Sequence, residues 1–168
     1  DIEIFSTNDN SINTKYDRVR TWQNQISYLP QKTFLIDDSV YKNITFSNKD
    51  QNLNFKQIKY SIDKSLLGNL FENEIDYLSK SIGEKGEFLS GGQRQRLSFA
   101  RAIYTRRKIL VLDEITSSLD KAAEKELFNF IYGLKDEYTI IIVSHNTDML
   151  EKCDKLYEIK HCNVKQIK

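Results

Sequence analysis

The sequence predicts an α/β domain built on a mainly parallel sheet. Three observations carry that expectation. Residues 109–112 (ILVL) and 139–143 (TIIIV) are aliphatic runs without polar alternation, the pattern of strands buried on both faces. Between them, residues 122–134 (AAEKELFNFIYGL) place apolar side chains at helical steps. Strand, helix and strand in that order form a crossover unit, so the two strands should run parallel.

The remaining elements follow in chain order. Residues 2–5 (IEIF) read as a short strand, and 6–13 as a polar turn. Residues 17–23 form a brief helix, and 25–29 a strand that Pro30 ends. Ser39 is placed to cap a short helix over 40–44 (VYKNI). From 55 to 81 the pattern is helical, with Phe55, Ile58, Ile62, Leu66, Leu67 and Leu70 recurring at three- and four-residue steps. Ser90, followed by two glycines, caps a helix over about residues 92–104. The tail predicts two short strands, 156–159 and 164–167, around a turn at 161–163. With one proline and six glycines in 168 residues, no flexible linker divides the chain, which is one domain or a large part of one.

Bulk properties exclude several classes. A net charge of +1 gives no electrostatic case for nucleic acid. No apolar run reaches the ~18–20 residues of a membrane-spanning helix. The opening DIEIFSTNDN lacks the basic, apolar and small-residue order of a signal peptide. Cys153 and Cys162 are too few for a disulfide framework and read as free thiols of a cytosolic protein. His161 beside Cys162 lacks any further ligand at metal-binding spacing. The NIT triplet at 43–45 fits a glycosylation sequon, but on a cytosolic helix it is an accident of sequence.

Asp113 and Glu114 end the first buried run, and ligands of open α/β sheets bind at that carboxyl edge. Asp113 suits a hard cation. Glu114 is placed to polarise a water. His145 closes the second run (IIIVSH) at the same edge, where an imidazole can donate from one nitrogen and accept at the other. Ser90, Gly91, Gly92 and Gln93 open a helix, and such a terminus is a ready anion site that glycines let a phosphate approach closely. Taken singly, each has a plainer account. Two acids are also what a strand leaving a core shows, a lone histidine after a strand is commonly structural, and Ser-Gly-Gly is also an ordinary helix cap. For Gln31 the plainer account is an exposed loop residue, and for Asp120 the N-cap of the next helix.

Taken together, YLPQ (28–31), GEKG (83–86), LSGGQ (89–93) with RQRLSFARAIY (94–104), ILVLDE (109–114), TSSLD (116–120) and IIIVSH (140–145) resemble the nucleotide-binding domain of ABC transporters. The resemblance spans nearly the whole chain. It implies a P-loop NTPase-like sheet with a helical signature subdomain over about 48–104 and a catalytic core over 105–168. It implies ATP and Mg2+ as cofactors, with Asp113 and Gln31 at the metal. Glu114 and His145 would be catalytic. Gln31, Ser90, Gly91, Gly92, Gln93 and Asp120 would bind nucleotide. The family's signature motif contacts ATP held by another subunit, which implies a head-to-tail dimer with a second nucleotide-binding domain. A transmembrane domain of the same or a partner chain would complete it, at the cytoplasmic face of a membrane. GEKG and SVYKNI (39–44) resemble exporter patterns, which points to an exporter or flippase.

The pattern departs in three places. The sequence contains no G-x-x-x-x-G-K-[ST] loop, and residues 1–27 contain no glycine, so the chain is expected to begin after the phosphate loop, N-terminally truncated and by itself inactive. Asn146 stands where exporters often carry arginine, and the 161–163 turn lacks the usual glycine. Two other readings carry distinct signatures. A soluble ABC-type ATPase of DNA repair or translation would show a coiled-coil insertion, a zinc hook or a second signature motif, and the sequence has none. A non-catalytic docking fragment would bind a partner's nucleotide and hydrolyse nothing.

Overall fold

The computed structural model describes residues 15–46, 54–68, 70–71, 76, 79–116, 119 and 121–168. The strand expected at 2–5, the turn at 6–13 and Asp120 lie outside the described residues. The described elements run α1 (Lys15–Gln23), β1 (Ile26–Leu29), α2 (Val40–Thr45) and α3 (Phe55–Lys64), then a 3-10 turn (Glu84–Gly86) and α4 (Gly91–Tyr104). They continue with β2 (Ile109–Asp113), α5 (Lys121–Tyr132), β3 (Thr139–Val143), α6 (Thr147–Glu151), β4 (Tyr157–Lys160) and β5 (Asn163–Gln166). The sheet has the order β1-β2-β3, all parallel, with Leu29 opposite Leu112 and Asp113 opposite Val143. The α/β class and the parallel strand–helix–strand unit are therefore as expected.

The short helices start where side-chain caps allow. Ser39 accepts from the amide of Lys42 to open α2. Ser90 accepts from the Gln93 amide while the Gln93 side chain accepts from the Ser90 amide, a reciprocal capping box that opens α4. The helical stretch expected from 55 to 81 is interrupted: α3 ends at Lys64, Asp76 and Ser79 are helical again, and residues 69, 72–75, 77 and 78 lie outside the described residues. Leu66 sits at φ 55°, and the Leu67 amide returns to the Ile62 carbonyl, closing the helix end. Leu67 and Phe71 are still buried, but from turns rather than from a continuing helix. The tail forms the expected hairpin, antiparallel and turning at His161 and Cys162 (φ 48° and 62°). Two consecutive left-handed residues are what a two-residue hairpin turn demands, here met without glycine.

Among the described residues, buried side chains form two clusters. One joins Leu35, Val40, Tyr41, Ile44, Ile58, Ile62 and neighbours of α2 and α3 to Leu97 and Ala100 of α4. The other joins Leu29, Leu110 and Leu112 of the sheet to Phe99 and Ile103 of α4 and Leu127, Phe128 and Ile131 of α5. Helix α4 thus serves both. Polar ties reinforce the join. Arg101 donates from Nε to the Asn43 carbonyl and stacks on Phe46 at 4.1 Å, and its burial lowers the guanidinium pKa to about 10. Tyr60 and Lys64 of α3 both donate to Glu137, at 2.7 and 2.9 Å.

The sheet departs from expectation on one point. The strands were expected to be buried on both faces, yet among the described residues only one face is covered. Leu110 and Leu112 are fully buried, whereas Tyr28, Ile141 and Val143 on the opposite face are about half exposed. The cause is that α4 and α5 both pack against the same face. Aliphatic composition shows that a strand tolerates burial; it does not supply the second layer.

Candidate functional site

The sheet order brings three loops to one edge. Just past β1 lies Gln31, at the end of β2 lie Asp113 and Glu114, and just past β3 lies His145. Because β2 is central, Glu114 sits between the other two. Its amide donates to the Val143 carbonyl at 2.9 Å, which extends the β2–β3 ladder by one residue. Its φ is 46°, a left-handed backbone that a non-glycine residue adopts at a cost. Gln31 Nε2 donates to Glu114 Oε2 at 2.8 Å, and His145 Nε2 lies 3.1 Å from Glu114 Oε1. The Glu114 carboxylate is thereby engaged on both oxygens. His145 itself is almost wholly exposed. Tyr28 donates from its phenol to Asp113 Oδ2 at 2.7 Å, and that hydrogen bond holds the phenol pKa above its ordinary value.

An open cleft of about 470 Å³ adjoins this edge, lined by Glu114, Thr116, Glu124, Ser144, His145 and Asn146 among others. Asn146 caps α6, accepting from the amides of Asp148 and Met149, and donates to Glu124. Arginine, which has no acceptor, could not cap in this way. Among the described residues no three His, Cys, Asp or Glu side chains gather closely enough to hold a metal by themselves. The donors present are the Asp113 carboxylate and the Gln31 amide oxygen. A pair of hard oxygens suits Mg2+, which keeps several waters and shares substrate phosphates, and does not suit a dedicated zinc centre.

The second candidate region is the N-terminus of α4. Ser90, Gly91, Gly92, Gln93, Arg96, Leu119 and Ala123 line a separate open cleft of about 320 Å³. Among the described residues the two clefts share no lining residue. The glycines here are not explained by the chain's own packing. A Cβ on Gly91 would meet nothing within 4 Å, and one on Gly92 would reach only Leu119 at 3.7 Å. Glycine in a helix costs about 0.5–1 kcal/mol relative to alanine, so these two leave open backbone at a helix start. The structure thus gathers Gln31, Asp113, Glu114 and His145 at one site and keeps Ser90, Gly91, Gly92 and Gln93 at another.

Comparison with known proteins decides the family. The sequence profile of the ABC transporter family matches residues 3–117. The chain belongs to the ABC transporter family. It is 30% identical over 138 residues to an ATP-dependent lipid A-core flippase of Ralstonia nicotianae, covering 82% of this chain and 23% of the relative. It is 31% identical over 142 residues to a multidrug resistance ABC transporter ATP-binding and permease protein of Lactococcus lactis subsp. cremoris, covering 84% of this chain and 24% of the relative. The chain therefore spans about a quarter of the length of these relatives. In fold it is similar to the structure of a bacterial Atm1-family ABC exporter with ATP bound, at TM-score 0.70 and 21% identity, over 85% of this chain and 25% of that one.

Within this ABC transporter domain, the structure adds residues that sequence reading did not single out. Tyr28 belongs to YLPQ, yet its contact was unread; strand alternation places it on the same face as Asp113, one diagonal step away. Gln95 donates from Nε2 to the Ile115 carbonyl, tying α4 to the turn after Glu114. Arg94 donates to the Leu89 carbonyl at 2.6 Å and the Gly86 carbonyl at 3.3 Å, tying the GEKG turn to the start of α4. No local sequence signal distinguishes these two side chains from ordinary surface residues of an amphipathic helix.

Proposed function

We propose that this chain is part of the ATP-hydrolysing motor of an exporter or flippase, acting as a head-to-tail pair of nucleotide-binding domains with ATP between them. One observation carries the reading. The Glu114 carboxylate stands at the sheet edge between Gln31 and His145, in contact with both. In this mechanism Asp113 and Gln31 hold Mg2+, which offsets phosphate charge when bound. Glu114 takes the proton of a water as its oxygen attacks the γ-phosphorus in line. The bond from the γ-phosphorus to the bridging oxygen breaks, and ADP leaves with that electron pair. His145 orients the water and contacts a γ-phosphate oxygen.

The α4 terminus takes the complementary part. Its serine and bare glycines offer donors and room to a phosphate presented by a second copy, and the open space beyond Gly91 supports this. Asp120 would cross that interface. The flippase and multidrug transporter relatives support membrane transport as the work done. Among the described residues no helix is long and apolar enough to cross a membrane, so the membrane-spanning part would come from other residues or a partner chain. Exposed Phe34 and Phe88 support a contact with such a part, since Leu35 packs against Gly86 and brings their segments together. The working location would then be the cytoplasmic face of the membrane.

The 168 residues carry no G-x-x-x-x-G-K-[ST] loop, so by themselves they should grip ATP poorly. The test therefore belongs in an intact transporter that carries this sequence. Glu114→Gln keeps the shape and removes the base. ATP turnover should fall on the order of 10²–10⁴-fold, while ATP stays bound and holds two copies together. Near-normal turnover would show that Glu114 is not the base.

A further inference from the structure

We propose that Tyr28 is a positioning residue for Asp113, and that the four residues from Tyr28 to Gln31 align both acids of the site from a single strand end. The inference rests on the reading of Asp113 as a holder of the divalent cation. Tyr28 pairs with Val111, and Asp113 lies two residues further along the same face of β2. The phenol donates to Asp113 Oδ2 at 2.7 Å. Three residues on, Gln31 donates to Glu114 Oε2 at 2.8 Å. Consecutive acids thus take their donors from positions three apart, with Pro30 between them to restrict the backbone.

Packing does not account for the tyrosine. Its side chain belongs to neither buried cluster and is 57% exposed, so phenylalanine would serve the fold as well. The donor type is informative. Adjacent carboxylates repel, and a lysine or arginine beside them would compete with a cation for the same oxygens. A neutral phenol and a neutral amide fix the orientation of each acid and leave its charge for a cation or a proton. Partners of this kind around metal-binding side chains commonly set affinity by 10–100-fold.

The test uses the full chain and Mn2+ alone, a hard divalent ion that carboxylates accept. Binding is followed by paramagnetic broadening at Asp113 and Glu114. Asp113→Asn should abolish site-specific broadening, and Tyr28→Phe should weaken it roughly tenfold without shifting the melting temperature. In a sample with 13C at the tyrosine Cζ, the Tyr28 resonance should move on Asp113→Asn. If Tyr28→Phe binds Mn2+ as tightly as the parent chain while Asp113→Asn does not, Tyr28 positions nothing. If Asp113→Asn also binds unchanged, the reading of Asp113 itself fails and the proposal falls with it. Should Tyr28→Phe fail to fold, the Cζ resonance decides: a signal indifferent to Asp113→Asn overturns the contact.

Discussion

The two buried clusters differ in how they are closed. The helical cluster is sealed: Val40, Ile58, Ile62 and Leu97 have no exposed surface, and its helices surround them. The sheet cluster is sealed on one side. Leu110 and Leu112 are as buried as any residue of the first, yet Ile141 and Val143, on the same sheet, are half in water. The difference teaches that position relative to α4 and α5, rather than residue type, determines what a side chain contributes here. It also locates the chemistry. The candidate acids and histidine stand at the rim of the half-covered sheet, whereas the α4 terminus opens beside the sealed unit.

Substitutions can break or sharpen that contrast. The largest effect is expected at Phe99, fully buried and edge-on to Phe130 at 5.4 Å. Phe99→Ala should cost about 3–5 kcal/mol, while Ile141→Ala on the open face should cost under about 1 kcal/mol. Chemical denaturation of both variants measures the gap, and equal losses would mean that the open face is covered in solution. A smaller effect is expected at Glu137, which joins the two regions. Its carboxyl pKa is lowered, first by the Lys64 hydrogen bond and then by that of Tyr60. A lowered folded-state value adds stability above the unfolded pKa of about 4.3, and that stability is lost as pH falls through the folded value. Glu137→Gln should therefore destabilise by less than about 1 kcal/mol at pH 7, the pair being partly exposed, and the difference should fade as pH falls through the folded value. A gap persisting at low pH would assign the effect to packing.

The smallest effect on the fold is expected at Gly91, where it separates stability from function. Added side-chain atoms meet open space, and an acid in the first turn of a helix is mildly favourable. Gly91→Asp should leave the melting temperature unchanged or slightly higher. In an intact transporter carrying Glu114→Gln, the same change should abolish the ATP-held pair, because the acid would face a partner's γ-phosphate. Persistence of that pair, judged by size-exclusion chromatography with ATP, would refute the head-to-tail arrangement.

What the sequence disclosed follows from which interactions are local. The start of α4 was legible because Ser90 and Gln93 satisfy each other's amides within one turn. The parallel unit was legible because a helix between two aliphatic runs leaves few topologies. The early end of α3 was not, because Leu66, Leu67 and Leu70 keep a helical spacing that the backbone abandons at Ser65. The open sheet face was not, because coverage is a property of distant elements. At the site, the shared edge of Asp113, Glu114 and His145 was legible from the strand–helix–strand order, whereas Gln31 was placed with them only by the family resemblance. The Tyr28 contact and the left-handed turn at Glu114 depend on sheet register and backbone angles, which composition does not carry.

Asn43 has a consequence for how the chain can be made. It is fully buried, its amide nitrogen donates to the carbonyls of Ile36 and Ser39, and its oxygen accepts from the Ile36 amide. Asn-Ile-Thr is nonetheless an acceptor sequence for oligosaccharide transfer. In a secretory host the transferase would meet this asparagine while it is still extended in the nascent polypeptide. A sugar attached then could not enter the space between α2 and its preceding loop, and the product would be retained as misfolded. The same sequence produced in a reducing cytosol meets no such enzyme, so the choice of expression compartment alone decides whether this segment can close.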